Sequence, residues 1–129
     1  MTDHDDLLYL VHIDETARQI ARSVTARGRE CLATDADLRD ATLYRLQTLA
    51  ESTQRLSPEL KVAHPEIPWE DIAAFRNRIV HGYLGVSLDI VWDITQRDLP
   101  ELGHLARTEV RRRREMSGLQ LNADDELGL

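Results

Sequence analysis

A single cysteine, a single lysine and few aromatic residues mark this chain of 129 residues. Cys31 cannot close an internal disulfide, so no disulfide framework exists and nothing points to secretion. It reads as a small core residue rather than a nucleophile. Aromatics are 5% of the chain, which leaves Leu, Ile, Val and Ala to build a core and favours packed helices over a β-sandwich. No apolar run approaches the roughly 20 residues that a membrane-spanning helix needs. The opening Met1-Thr2-Asp3-His4-Asp5-Asp6 is acidic and lacks the basic start of a signal peptide. No glycine-rich phosphate loop is present, so the chain is not expected to bind ATP by itself, and no cofactor is implied. The expectation is a soluble, cytoplasmic protein without membrane contact.

Hydrophobic residues make up 42% and charged residues 30%, which suits one globular domain. A net charge of −7 disfavours coating nucleic acid by bulk electrostatics but leaves local binding open. Arginine carries nearly all the positive charge, Lys61 being the one lysine. Arg76 and Arg78 form one basic stretch, and Arg107 with Arg111, Arg112, Arg113 and Arg114 another. A solvated helix end is the first reading of the second run, and contact with RNA or an acidic partner the second.

Helical periodicity dominates. Leu7, Leu10, Ile13, Ala17, Ile20 and Val24 recur at three- and four-residue steps over a helix expected from about Asp5 to Arg27, with Gly28 as its stop. A short helical turn around Glu30 to Leu32 follows. Thr34 or Asp35 then caps a second long helix with Leu38, Thr42, Leu46, Leu49, Thr53 and Leu56 on its apolar face. Ser57-Pro58 opens a short extra helix, which His64-Pro65-Glu66-Ile67-Pro68 interrupts. The third long helix runs from near Trp69 to Gly82-Tyr83 with Ile72, Phe75, Ile79 and Val80 on its apolar side. Ser87 caps the last, where Leu88, Val91, Trp92, Thr95, Leu99 and Leu102 are in register. Pro100 predicts a kink or restart there, and Asp98 with Glu101 is spaced as a capping box. Helix is expected to about Glu115. These elements predict an all-α, antiparallel four-helix up-down bundle with a kinked last helix, a domain over 1–116 and a flexible acidic tail over 117–129.

Arg76-Asn77-Arg78-Ile79-Val80-His81-Gly82-Tyr83 concentrates the chemistry. Arginine can hold two phosphate oxygens in parallel, and histidine can move a proton near neutral pH. Arg76 and His81 are about 140° apart around an ideal helix, so joint action needs a long reach, a loosened helix end or a second subunit. Asn77 and His81 share a face, as do Arg76 and Tyr83. Cleaving RNA without a metal needs a base, an acid and cations around the reacting phosphate. One imidazole per motif makes a symmetric dimer an attractive source of the second. A capping histidine flanked by exposed arginines is the competing structural explanation.

Phe75 to Tyr83 resembles the signature of the HepT-like branch of the HEPN superfamily. Tyr9-Leu10-Val11-His12-Ile13, Leu49-Ala50-Glu51-Ser52, Leu56-Ser57-Pro58-Glu59-Leu60, His64 to Trp69, Val91-Trp92 and Asp98-Leu99-Pro100 extend the likeness over about Leu8 to Leu105. Ala50 departs from the usual glycine. The resemblance implies a HEPN-like homodimer acting as a metal-independent endoribonuclease, the toxin of a type VII-like toxin–antitoxin system. It puts Arg76 and His81 on the catalytic positions, with Asn77 and Tyr83 supporting them. It further implies that a nucleotidyltransferase antitoxin transfers AMP to Tyr83. Arg78, Arg111 and Arg112 are candidate contacts for RNA or antitoxin.

Two other readings remain: a non-catalytic helical partner that docks onto a nucleotidyltransferase and presents substrate, and a helical dimerisation protein whose motif is structural. Glu51 either neutralises Arg76 or Arg78 across the bundle or is solvated. Trp69 and Trp92 read as core or interface residues rather than base-stacking platforms. His4, His12, His64 and His104 have no metal-ligand spacing and read as surface or capping residues.

Overall fold

The computed structural model describes residues 3–126, with side chains from 6 to 118. Among them there is no strand. Helix α1, Asp3–Ile20, continues into one wider π turn over Ala21–Thr25. Gly28 ends it with φ of 94°, a left-handed conformation that glycine adopts without a Cβ penalty. The short α2, Cys31–Thr34, buries Cys31 and Leu32. Helix α3, Ala36–Gln54, is capped by Asp35, whose carboxylate accepts the Leu38 N–H at 3.0 Å. Of the two caps the sequence offered, Asp35 is used, and its second oxygen takes Arg27 at 2.9 Å. These contacts, led by the Leu38 N–H, hold the Asp35 carboxyl below its ordinary pKa.

Helix α4, Pro58–Ala63, starts on Ser57, whose hydroxyl accepts the Leu60 N–H at 3.3 Å. Helix α5, Trp69–Gly82, passes into a 3₁₀ turn over Tyr83–Gly85. Helix α6, Leu88–Asp93, is capped by Ser87. A π turn over Ile94–Asp98 joins it to α7, Leu99–Glu126. The expected restart at Asp98 does not occur. Leu99 has helical angles (φ −66°, ψ −43°), so the irregularity forced by Pro100 is taken up before it, in the π turn. A capping box needs extended backbone at its first residue, and Asp98 lies inside that helical turn. The backbone of α7 also stays helical to Glu126, past the expected end near Glu115; residues 127–129 lie outside the described part.

Side-chain pairs fix the directions. Asp6 meets Ser57, His12 meets Ser52 at 2.7 Å, and Ser23 meets Arg45 at 3.5 Å, so α1 and α3 are antiparallel. Ala17 faces Gly103 and Asp14 faces Arg107, so α1 and α7 are antiparallel too. Tyr83 meets Asp40 and Arg76 meets Glu51, which sets α5 against α3 in the same sense. The result is the up-down bundle. A Cβ on Gly103 would lie 3.2 Å from Ala17 Cβ, so α1 and α7 approach closely there.

The core is aliphatic. Leu10, Ile13 and Ile20 of α1 and Val24 of the π turn after it have no exposed surface, and Leu43, Leu46, Leu49, Ile79, Val91 and Leu102 close around them. Each large aliphatic side chain so buried contributes about 1.5–3 kcal/mol. Thr42 and Thr53 enter the core by turning their hydroxyls back to the Leu38 and Ala50 carbonyls, at 2.7 and 2.6 Å. Helix α5 is the least covered. Ile79 is buried and Ile72 and Phe75 pack partly, but Val80, expected on the apolar side, is 42% exposed. One helical step of about 100° carries it off the buried stripe. Trp69 Nε1 donates to the His64 carbonyl at 3.0 Å and packs on the core, which pins the proline loop to the start of α5. Trp92 also packs on the core.

Candidate active site

The motif occupies the last two turns of α5 and the 3₁₀ turn after it. Arg76 faces α3. Its Nε and Nη2 donate to Glu51 Oε1 at 3.4 and 3.2 Å, and its Nη1 donates to Asn77 Oδ1 at 3.2 Å. Gln47 Nε2 donates to the same Glu51 oxygen at 3.3 Å. Of the two roles left open for Glu51, the structure has it neutralising Arg76, and not Arg78. Asn77 bonds Arg76 and not His81, although it shares a helix face with the imidazole.

His81 is exposed and has no hydrogen bond or ion pair among the described residues. It lies in the last turn of α5. No contact joins it to Arg76, and α5 runs unbroken past both to Gly82. The helix-end loosening considered as a way to unite them is therefore absent. One chain offers a held guanidinium on the α3 side and an open imidazole on another.

Tyr83 donates its hydroxyl to Asp40 Oδ1 at 2.6 Å. That bond first, then burial and the carboxylate charge, raise the Tyr83 pKa above the ordinary phenol value. Arg78 is exposed and lines an apolar groove of about 360 Å³ between α3, α5 and the α6–α7 rod, with Phe75, Ile90 and Ile94 among its walls. The arginine run of α7 is divided. Arg112 donates to Glu109 at 2.9 Å, and Arg113 binds the same carboxylate and lies 3.6 Å from Asp6. Burial pushes the Glu109 carboxyl up, but hydrogen bonds and charge from Arg112 and Arg113 outweigh it and hold it low. Arg113 is thus a structural residue, while Arg111 faces solvent.

Asp40 and Gln47 went unnoticed in the sequence. Both belong, with Tyr44 and Glu51, to a stripe on α3 at steps of four, three and four, the polar counterpart of its apolar face. That periodicity was visible; which helix would lie against it was not.

Residues 13–108 match the family described as HepT-like, Ribonuclease HepT-like. The chain belongs to that family of HEPN ribonucleases. It is 30% identical over 94 residues to a protein of Caldanaerobacter subterraneus subsp. tengcongensis named as an inferred RNase, covering 73% of this chain and 84% of that one. It is 29% identical over 94 residues to a protein of Thermococcus cleftensis named for ribonuclease HepT, covering 73% and 86%. A longer Methanocaldococcus jannaschii protein, named as a gamma-glutamylcyclotransferase and inferred RNase, is 29% identical over 98 residues; the match covers 76% of this chain and 44% of that protein. No solved structure matches. Among the described residues no helix is long and apolar enough to cross a membrane.

Proposed function

We propose that this protein is the toxin of a toxin–antitoxin pair and cleaves RNA as a homodimer without a metal. The observation that carries the reading is the division of labour on α5: Arg76 is fixed by Glu51 and Asn77, while His81 stands open one turn later. In RNA cleavage a base takes the 2′-hydroxyl proton, that oxygen attacks phosphorus, and the 5′-oxygen leaves with a proton from an acid. His81 serves as one of these two groups, and Arg76 Nη atoms stabilise the charge on the phosphate oxygens. His81 of a second copy supplies the other proton transfer. Exposed Val80, Leu84 and Ile90, on and just beyond the motif, offer an apolar face on which two copies can meet.

Tyr83 lines this site and is the AMP acceptor for a nucleotidyltransferase antitoxin. Adenylylation of its oxygen would replace the proton now given to Asp40 by a phosphate, setting two negative charges together and blocking the RNA cleft.

The test is RNA cleavage in EDTA by wild type and His81→Ala, with the oligomeric state measured by light scattering. Cleavage by the wild-type dimer and none by a folded mutant dimer is expected. An inert wild-type dimer, across tRNA and mRNA substrates, would overturn the enzyme reading in favour of a non-catalytic partner of a nucleotidyltransferase.

A further inference from the structure

Helix α7 pairs two of its arginines, Arg112 and Arg113, with Glu109 and leaves others on a second face. Arg107, Arg111 and Arg114 recur at steps of four and three, so they form one row about 10 Å long at ~1.5 Å per residue. The row borders a groove of about 410 Å³ between α1 and α7, which Arg18 of α1 also lines. Asp14 and Glu115 are the carboxylates of the groove, so four cations outnumber two anions in a chain that is acidic as a whole.

Asp14 holds two of the arginines by one edge. Arg18 Nε donates to its Oδ1 at 3.0 Å, and Arg107 Nε lies 3.6 Å from the same oxygen. Arg107 Nε is buried without a hydrogen bond. The Nη groups of both have no hydrogen bond among the described residues, and Arg111 and Arg114 have no ion pair there. The guanidinium ends are anchored yet unsaturated, the state in which arginine takes two anionic oxygens in parallel.

We propose that the α1–α7 groove is a second, sequence-independent RNA site that binds the phosphates of a single strand. A row of guanidinium groups suits a ligand with repeated anions rather than one small anion. Among the described residues no aromatic side chain lines the groove, so it offers no platform for bases there and reads the backbone alone. Among the described residues its only apolar lining residue, Val110, is 6% exposed, so they provide no apolar anchor on which a protein partner would centre its contact. No residue of α5 lines it. The site would hold the strand apart from the motif, so the inference deepens the ribonuclease reading, but its test needs no cleavage.

Binding of a labelled oligouridylate to the full chain, followed by fluorescence anisotropy over a salt series, tests this. The His81→Ala background prevents cleavage during titration. Arg111→Ala with Arg114→Ala should raise Kd by about tenfold and reduce the slope of log affinity against log salt by about 1.4, the loss of two single-strand phosphate contacts. Arg22→Ala with Arg97→Ala removes the same charge from exposed positions outside the groove, and should leave both values nearly unchanged. Circular dichroism checks that each variant is folded. Equal effects of the two double variants, or no RNA binding by the parent at low salt, would overturn the proposal. So would weakened binding of polyglutamate with RNA binding intact, which would assign the groove to an acidic protein. RNA binding lost with the groove arginines in a chain that never cleaves would keep this site and discard the ribonuclease.

Discussion

Glu51 on α3 binds Arg76 on α5 through one oxygen, which accepts Nε at 3.4 Å and Nη2 at 3.2 Å. The contact leaves Nη1 pointed at Asn77 and fixes the guanidinium plane. Glu51 is therefore a positioning residue for Arg76. Glu51→Ala should lower RNA cleavage by about tenfold, ~1.4 kcal/mol of transition-state stabilisation, with the dimer intact. Glu51→Gln keeps an acceptor oxygen and should recover most of the loss. In a double-mutant cycle with Arg76→Ala the two losses should not add. Full activity of Glu51→Ala, or additive losses, would show that the pair only joins two helices.

The Tyr83 hydroxyl should titrate late. Its hydrogen bond to Asp40 exists only in the protonated phenol, and the Asp40 charge opposes the phenolate. Because the folded-state pKa is raised, the stability from this contact is complete below the ordinary phenol value of 10.0. It is lost as pH rises through the folded value. An ultraviolet titration of the phenolate band should show one tyrosine ionising above its ordinary range, and Asp40→Ala should return it. The stability gap between wild type and Asp40→Ala should be constant from neutral pH to the ordinary phenol value and close above it. Superimposable titration curves would refute the assignment.

A buried carboxylate at the other end of the bundle should be costly to remove. Asp6 is 1% exposed and accepts the Ser57 N–H at 2.8 Å and the Ser57 hydroxyl at 2.6 Å, with Arg113 at 3.6 Å. Asp6→Ala strands both Ser57 donors and part of the Arg113 charge, and should cost about 3 kcal/mol in urea denaturation. Ser57→Ala removes only the hydroxyl and its cap on α4, and should cost about 1 kcal/mol. Equal losses for the two variants would mean that the charge on Asp6 carries no weight.

The helices were legible because their causes are local. The stripe Leu7, Leu10, Ile13, Ala17, Ile20 and Val24 announces both a helix and its buried face; all are buried except Leu7, which packs partly against the core. Asp35, Ser57 and Ser87 cap where short polar side chains precede apolar repeats. The misreadings came where two local rules competed. Of the kink or restart expected at Pro100, the restart with a capping box at Asp98 is absent: a π turn lies just upstream and the helix runs on. Around Val80 the apolar composition of α5 concealed that only one narrow stripe meets the bundle.

The chemistry divides in the same way. The sequence by itself determined the helical class, the caps and the set Arg76, Asn77, His81 and Tyr83, because residue identity and a spacing of a few positions along one helix are local facts. Only the tertiary structure decided the long-range partners of those groups: Glu51, itself held by Gln47, for Arg76, Asp40 for Tyr83, and none among the described residues for His81. It also separated Arg113, turned into Asp6 and Glu109, from Arg111 and Arg114, open to the α1–α7 groove. Neighbours in sequence differ by about 100° around a helix, and which direction meets a carboxylate and which meets water depends on the helix packed alongside.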